Sequence, residues 1–280
     1  MTNEVTVINL PSHRLLLRRE SHRMTVAPIP LVRPVVVLGG WRSPRLMANA
    51  LARRLAPLTS GSIDDFLRVS YPLASSIESA ASIARHAIEN HPAHATTPRA
   101  APREFDIVAI SMGGLIARFL ASGLAWGDSP PTFRVRRIFS ISTPHRGASL
   151  ARWIRPDSAA RAMRPGSAFL SNLDGSTTDP GSAAGETPRY PIESPELICY
   201  VQRLDWWVGT WNTAPRLHPL RCARAGGPIR AALSHFTAHA NPAIVIDVAR
   251  HLRGEPGLDA GLDGPAGHPP TPTPPPTPST

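Results

Sequence analysis

Residues 106–121 read DIVAISMGGLIARFLA, an apolar run that breaks at Ser111, passes Gly113 and Gly114, and resumes with helical instead of strand spacing. A hydroxyl residue at that changeover is either the cap of a turn or a nucleophile. In a wound α/β sheet, ligands and reacting groups gather at the carboxyl ends of the strands. A sharp turn there pushes a serine Oγ out of the sheet, and the first amides of the following helix are placed to meet a developing oxyanion. The turn also brings backbone segments close together, so the positions two before and two after the serine must be small. They are Ala109 and Gly113, with Gly114 next. The G-x-S-x-G pattern is met with alanine in place of its first glycine, one methyl group more than the pattern has.

The elements that must hold this serine alternate along the chain. RPVVVLGG (33–40), DFLRVSY (65–71), EFDIVAI (104–110), RVRRIFSIS (134–142) and ELICYVQ (196–202) have the short, β-branched or apolar character of buried strands, and IRAALS (229–234) is a weaker sixth. Between them, residues 43–58 and 75–90 and the stretch MGGLIARFLASG carry helical spacing, with Ser43 at a cap position before the first. NPAIVIDVARHL (241–252) opens with Asn at a cap and Pro at the first helical position, a strong helix start. Strand and helix in alternation predict an α/β fold: a doubly wound, mostly parallel sheet with helices on both faces.

The rhythm is interrupted by an insertion at about 148–195, which contains a predicted helix at 157–173 and then a polar Gly/Ser/Thr-rich stretch; insertions of that length serve as lids or binding loops. The predicted organisation is an N-terminal segment over 1–32, in which EVTVINL and HRLLLRR have the look of short edge strands, a domain over 33–253, and a Gly/Pro/Thr-rich disordered tail over 254–280.

Composition narrows the function. The 280 residues carry a formal charge of +10, and all 30 basic residues are arginine, spread from Arg14 to Arg253. With 32 prolines alongside, this is a bias of the whole chain and no nucleic-acid footprint; weak association with anionic surfaces is compatible with it. Cys199 and Cys222 make no disulfide framework, and neither a CxxC pair nor a Cys/His cluster suggests zinc. A basic start followed by an apolar stretch is missing from the N-terminus, and no apolar run approaches the roughly 20 residues of a membrane-spanning helix, so a cytoplasmic protein is expected.

The segment AISMGGLIAR resembles the nucleophile elbow of the α/β-hydrolase superfamily, and within it the lipase, esterase and GPI-inositol-deacylase-like branch. Two further stretches carry the resemblance: STPHRGASLAR (142–152), similar to the Thr-Pro-His-Arg-Gly segment after the next strand, and AMRPGSAFLSNL (162–173), similar to a cap-region helix. The three motifs fall in the family's order across residues 33–253.

The resemblance implies a base and an orienting acid in the order serine, acid, histidine. Of the later histidines, His235 lies several residues ahead of the Asn-Pro that opens the final helix, where similar sequences place the base; His239 is the alternative, almost at the helix start. His145 lies inside the Thr-Pro-His-Arg-Gly segment, before any acid on a following strand, and is expected to hold that loop. Asp205, just after ELICYVQRL, is the expected acid. Glu193 and Glu196 precede that strand, and Asp247 lies on the final helix, where a solvated face is expected.

The resemblance also implies an oxyanion hole of two backbone N–H groups. These are Met112 and, in the loop LGGWRSP where relatives have His-Gly, Trp41, with Arg42 as the other candidate. The expected activity is hydrolysis of a carboxylic ester with a hydrophobic or lipid-like acyl group, favoured by Trp206, Trp207 and Trp211 beside Asp205, with no metal or organic cofactor. An acyltransferase or thioesterase with the same triad, or a non-catalytic binding protein of this fold, are the alternatives.

Overall fold

The computed structural model describes residues 5–43, 45–91, 103–127, 129–148, 158–178, 194–216, 218–225 and 233–260. Among the described residues seven strands make one sheet: β1 (Val7–Asn9), β2 (Val35–Leu38), β3 (Phe66–Val69), β4 (Arg103–Ile110), β5 (Phe133–Ile141), β6 (Glu196–Gln202) and β7 (Leu220–Ala223). Their order is β1-β7-β6-β5-β4-β2-β3, and every pairing is parallel.

The strand β2 is VVVL, buried at all four positions, as a strand covered on both faces must be. Val35 and Val37 pack into one layer, Val36 and Leu38 into the other, and β4 divides Val108 and Ile110 from Ile107 and Ala109 in the same way. The first layer is closed by α1 (Arg14–Val26), α2 (Arg45–Leu55) and α8 (Pro242–Leu252), which contribute Leu17, Leu51, Leu55, Ile244 and Val248. The second is closed by α3 (Ile77–Glu89), α4 (Met112–Ala121), α5 (Ser158–Ala162) and α6 (Ala168–Thr178), the last two from the insertion. A single-turn helix, α7 (Ser234–Thr237), precedes α8.

From β2 the chain moves outward to β3, then crosses to the other side of β2 at β4 and continues outward through β5 and β6 to β7. The reversal between β2 and β4 opens a crevice at their carboxyl ends, where a doubly wound sheet binds its ligands. No helix among the described residues is long and apolar enough to cross a membrane.

Several elements differ from the sequence expectation. HRLLLRR is part of α1, not a strand: three consecutive leucines fit either period, and the extension to Glu20 and Met24 supplies the helical face, buried with Leu17. Residues 5–32 therefore continue the same sheet and layer, with β1 as its edge strand paired to β7. The four-residue β7, unpredicted, is too short to show a period. The predicted helix at 157–173 is two helices, parted at Arg164-Pro165-Gly166, where Gly166 has φ 75°. Of IRAALS, residues 229–232 lie outside the described residues, and Leu233 and Ser234 enter α7.

Gly254–Ala260, grouped by composition with the tail, pack against the domain: Leu258 is buried and its amide donates to Asp247 Oδ1 at 2.5 Å. Residues 261–280 lie outside the described residues. Asp247 itself is not on a solvated face but fully buried, its other oxygen accepting the Tyr200 hydroxyl at 2.9 Å. Protein donors there replace the water that the sequence pattern led us to expect.

Candidate active site

Ser111 leaves β4 with φ 53° and ψ −124° and is followed at once by α4. Its amide donates to Ile141 O at 2.8 Å, and its carbonyl accepts from the Gly114 amide at 3.0 Å. Among the described residues four non-glycines have positive φ: Arg42, Ser111, Ser142 and Leu204. They follow β2, β4, β5 and β6, so backbone strain is concentrated along the carboxyl edge of the sheet, as it is at sites whose geometry the surrounding fold imposes.

The turn is as crowded as its small residues suggest. A methyl group on Gly113 would stand 2.6 Å from Gly39 O and 3.0 Å from Leu38 O. On Gly114 it would overlap Thr143, coming within 2.7 Å of Cγ2 and 2.8 Å of Cβ, with Oγ1 closer still. Ala109 is beside Leu38 and Ser140 in the register, and its methyl group is accommodated in the second core layer.

His235 Nε2 is 3.1 Å from Ser111 Oγ, and its Nδ1 is 3.1 Å from Asp205 Oδ2. Asp205 is buried, and its other oxygen accepts the Val208 amide at 3.2 Å. The indole of Trp207 is stacked near the imidazole, 6.3 Å between ring centroids and 24° between planes, while Phe236 meets the imidazole edge-on at 5.4 Å.

Two sets of ties hold the single-turn helix that carries His235. Ser234 Oγ donates to Leu204 O at 2.6 Å, clasping the histidine to the loop that carries Asp205. At the other end of α7, Gln202 Nε2 donates to Thr237 Oγ1 at 2.9 Å, and Gln202 Oε1 accepts from Asn241 Nδ2 at 3.0 Å. Asn241 in turn caps α8 through the Ala243 amide.

The other candidates lie elsewhere. His239 sits in the turn Ala238–Ala240 that contacts α2; burial and Arg54 depress its pKa, and its hydrogen bonding does not include Ser111. Glu196 opens β6, at the end of the sheet away from Ser111. Asp247 is engaged by Tyr200 and Leu258, and Glu193 lies outside the described residues.

Met112 begins α4, where the first amides of a helix have no intrahelical partner. Trp41 follows Gly39-Gly40, and Leu38 pairs with Ala109, so this loop runs alongside Ser111. A Cβ on Gly40 would be 3.3 Å from Ser111 Cβ. The loop is pinned by the buried Tyr71 hydroxyl, which donates to Gly39 O, by the Gly39 amide to Val69 O at 3.2 Å, and by the Ser43 amide to Gly40 O at 3.2 Å. Tyr71 and Ser234 carry no signal in the sequence, since each acts through a backbone carbonyl distant along the chain.

His145, in the Thr-Pro-His-Arg-Gly segment, is fully buried, with Nε2 2.9 Å from Ser140 Oγ and Nδ1 3.4 Å from Arg118 Nη1. Arg118 also donates to Asp174 Oδ1 at 2.8 Å, tying α4 to α6. Because an arginine can only donate, Nδ1 accepts and Nε2–H donates to Ser140. Burial first, then Arg118 and His218, push the His145 pKa well below 6.5; burial likewise lowers His239 and His251.

Each of these histidines has a folded pKa below its unfolded one, so the unfolded chain takes the proton first. Their contribution to stability is complete above about pH 6.5 and falls away as the pH drops, by at most about 1.4 kcal/mol per pH unit for each such histidine and only until its folded pKa is passed. Urea unfolding between about pH 8 and pH 5 is expected to show this loss, with a shallower slope in His145→Gln.

The fold is shared with solved structures at low identity. Phospholipase PlaB from Legionella pneumophila superposes with a TM-score of 0.59 at 12% identity, over 81% of this chain and 61% of that one. Lipase B from Aspergillus fumigatus gives 0.56 at 17% identity, over 82% and 55%. A Listeria innocua gene product gives 0.51 at 12% identity, over 79% and 93%. The chain thus spans about three-fifths of the phospholipase and just over half of the lipase. Its sequence matches no protein-family model and no curated protein. The all-parallel sheet and these likenesses define an α/β-hydrolase fold.

Proposed function

We propose that this chain is a serine hydrolase that cleaves carboxylic esters with a hydrophobic, lipid-like acyl group. The observation that carries this is the line from Ser111 Oγ through both nitrogens of His235 to Asp205 Oδ2, with 3.1 Å at each step. His235 Nε2 takes the Ser111 proton as Oγ attacks the acyl carbon, and the carbonyl π pair moves onto its oxygen. The Met112 and Trp41 amides are the proposed donors to that oxyanion. Asp205 accepts the Nδ1–H and stabilises the imidazolium. Collapse of the tetrahedral species expels the alkoxide, which takes the proton from Nε2. A water molecule, deprotonated by His235 Nε2, then attacks the acyl carbon. Collapse of this second tetrahedral species breaks the Oγ–acyl bond, releases the carboxylic acid and returns the proton from Nε2 to Ser111 Oγ.

The hydrophobic preference is supported by Trp207 and Phe236 around the imidazole. It is also supported by likeness to a phospholipase and a lipase. A series of p-nitrophenyl esters of rising acyl length tests it. Turnover is expected to rise from the acetate to medium-chain esters. Inactivity of the folded chain across the series would overturn the hydrolase assignment, and a preference for acetate would overturn its lipid-like part.

A further inference from the structure

A parallel sheet gathers every loop that leaves a strand along one edge, and here that edge has an unusual composition. Of the thirteen large apolar side chains that are exposed among the described residues, seven are on it. Leu204, Trp206, Trp211, Leu233 and Phe236 surround the Asp205–His235 side of the crevice; Leu46 and Leu73 lie across it, after β2 and β3. Trp206 is 54% and Trp211 58% exposed, large values for a residue type that folding usually covers. Ring contacts run from Trp206 to Trp207 and on to Phe236, and the Ser234–Leu204 hydrogen bond joins the two loops that carry them.

The charge on this edge is mostly of one sign. In the described segments 39–43, 45–46, 70–78, 142–148, 203–216, 224–225 and 233–241 the acidic residues are the buried Asp205 and the exposed Glu78 in the first turn of α3, against five exposed arginines. Exposed arginines rim the same segments: Arg42 and Arg45 after β2, Arg203 and Arg216 after β6, and Arg224 after β7. Indoles settle at the boundary between lipid headgroups and acyl chains, and each arginine near an anionic leaflet adds attraction that salt screens.

We infer that the carboxyl edge of the sheet docks on anionic phospholipid surfaces, Trp206 and Trp211 entering the headgroup layer and Arg203, Arg216 and Arg224 meeting lipid phosphates. Docked this way, the crevice beside Ser111 opens onto the bilayer, which would deliver acyl chains directly to the site. Only that consequence rests on the hydrolase reading; the docking itself does not require turnover.

The test is flotation of the full Ser111→Ala chain with vesicles of phosphatidylcholine alone or mixed with phosphatidylglycerol. The mixed vesicles are expected to retain the chain, and raised salt to release it. Trp206→Ser/Trp211→Ser and, separately, Arg203→Gln/Arg224→Gln are each expected to weaken retention by about tenfold or more, at unchanged circular dichroism. Arg134→Gln/Arg136→Gln, at the opposite end of β5, is expected to leave retention unchanged. Failure of the folded chain to float with mixed vesicles would overturn the proposal, as would retention that follows Arg134 and Arg136 instead of the edge. Self-association that disappears in Trp206→Ser/Trp211→Ser, without vesicle binding, would assign the face to a second copy of the chain and overturn it equally.

Discussion

Ser111→Ala is expected to reduce ester turnover by on the order of 10⁴- to 10⁶-fold while leaving the fold intact. The magnitude follows from the role: without Oγ no acyl-enzyme forms, and the remaining oxyanion donors and binding surface support only the slow direct attack of water. The fold survives because Ser111 is held by its backbone, the amide to Ile141 O and the carbonyl from Gly114. The strained φ of 53° gives the experiment a second readout. Alanine keeps the strain and glycine relieves it, so Ser111→Gly is expected to be as inactive as Ser111→Ala yet more stable by about 1 kcal/mol. Equal stability of the two variants would mean that the turn is not strained as described.

The second large effect is at the glycines after the serine. Gly113→Ala sets a methyl group against the backbone carbonyls of Gly39 and Leu38, at 2.6 and 3.0 Å, and neither can yield without moving the loop after β2. A stability loss toward the upper end of the ~1–3 kcal/mol usual for overpacking is expected, together with loss of activity, because the displaced loop is the one that carries Trp41. Gly114→Ala instead strikes the side chain of Thr143. Since Thr143 Oγ1 has no hydrogen-bond partner among the described residues, Thr143→Ala alone should cost chiefly its buried methyl group, about 1 kcal/mol. Combined with Gly114→Ala it removes Oγ1 and Cγ2 but leaves Cβ at 2.8 Å, so rescue should be partial. Thermal unfolding of the four proteins in this cycle checks the expectation; additive losses would contradict the described contact.

The parts of this structure that were legible in the sequence are those with a local signal. The change of period at Ser111 marked the end of a strand and the start of a helix without help from any distant residue. Asn241-Pro242 marked the start of α8 in the same way. Asp205 and His235 were different: nothing in their own surroundings distinguishes them from Asp247 or His239, and it was their order and spacing in similar sequences that singled them out. His235 reaches Ser111 on α7, a helix of four residues, too short for periodicity to reveal, and Asp205 meets His235 from the loop after β6.

What the sequence concealed is mostly long-range. The three leucines that begin α1 fit a strand equally well, and only the burial of Met24 against the sheet decides the matter. Strand β7 exists because β1 and β6 flank it, not because LRCA favours extension. Tyr71, Gln202 and Ser234 hold the site through hydrogen bonds to partners 32, 35 and 30 residues away, which no local pattern encodes. Asp247 departs from the solvated face expected of it for the same reason, its donors Tyr200 and Leu258 being supplied by a strand and by a segment whose composition resembles a tail.

The central claim is that Ser111 is a nucleophile activated by His235, and its most direct test is covalent labelling by a fluorophosphonate followed by mass-spectrometric mapping. The expected result is one modification, on the peptide containing Ser111, absent in Ser111→Ala and strongly slowed in His235→Ala. A folded chain that takes no label, or label that maps to another residue and persists in Ser111→Ala, would contradict it.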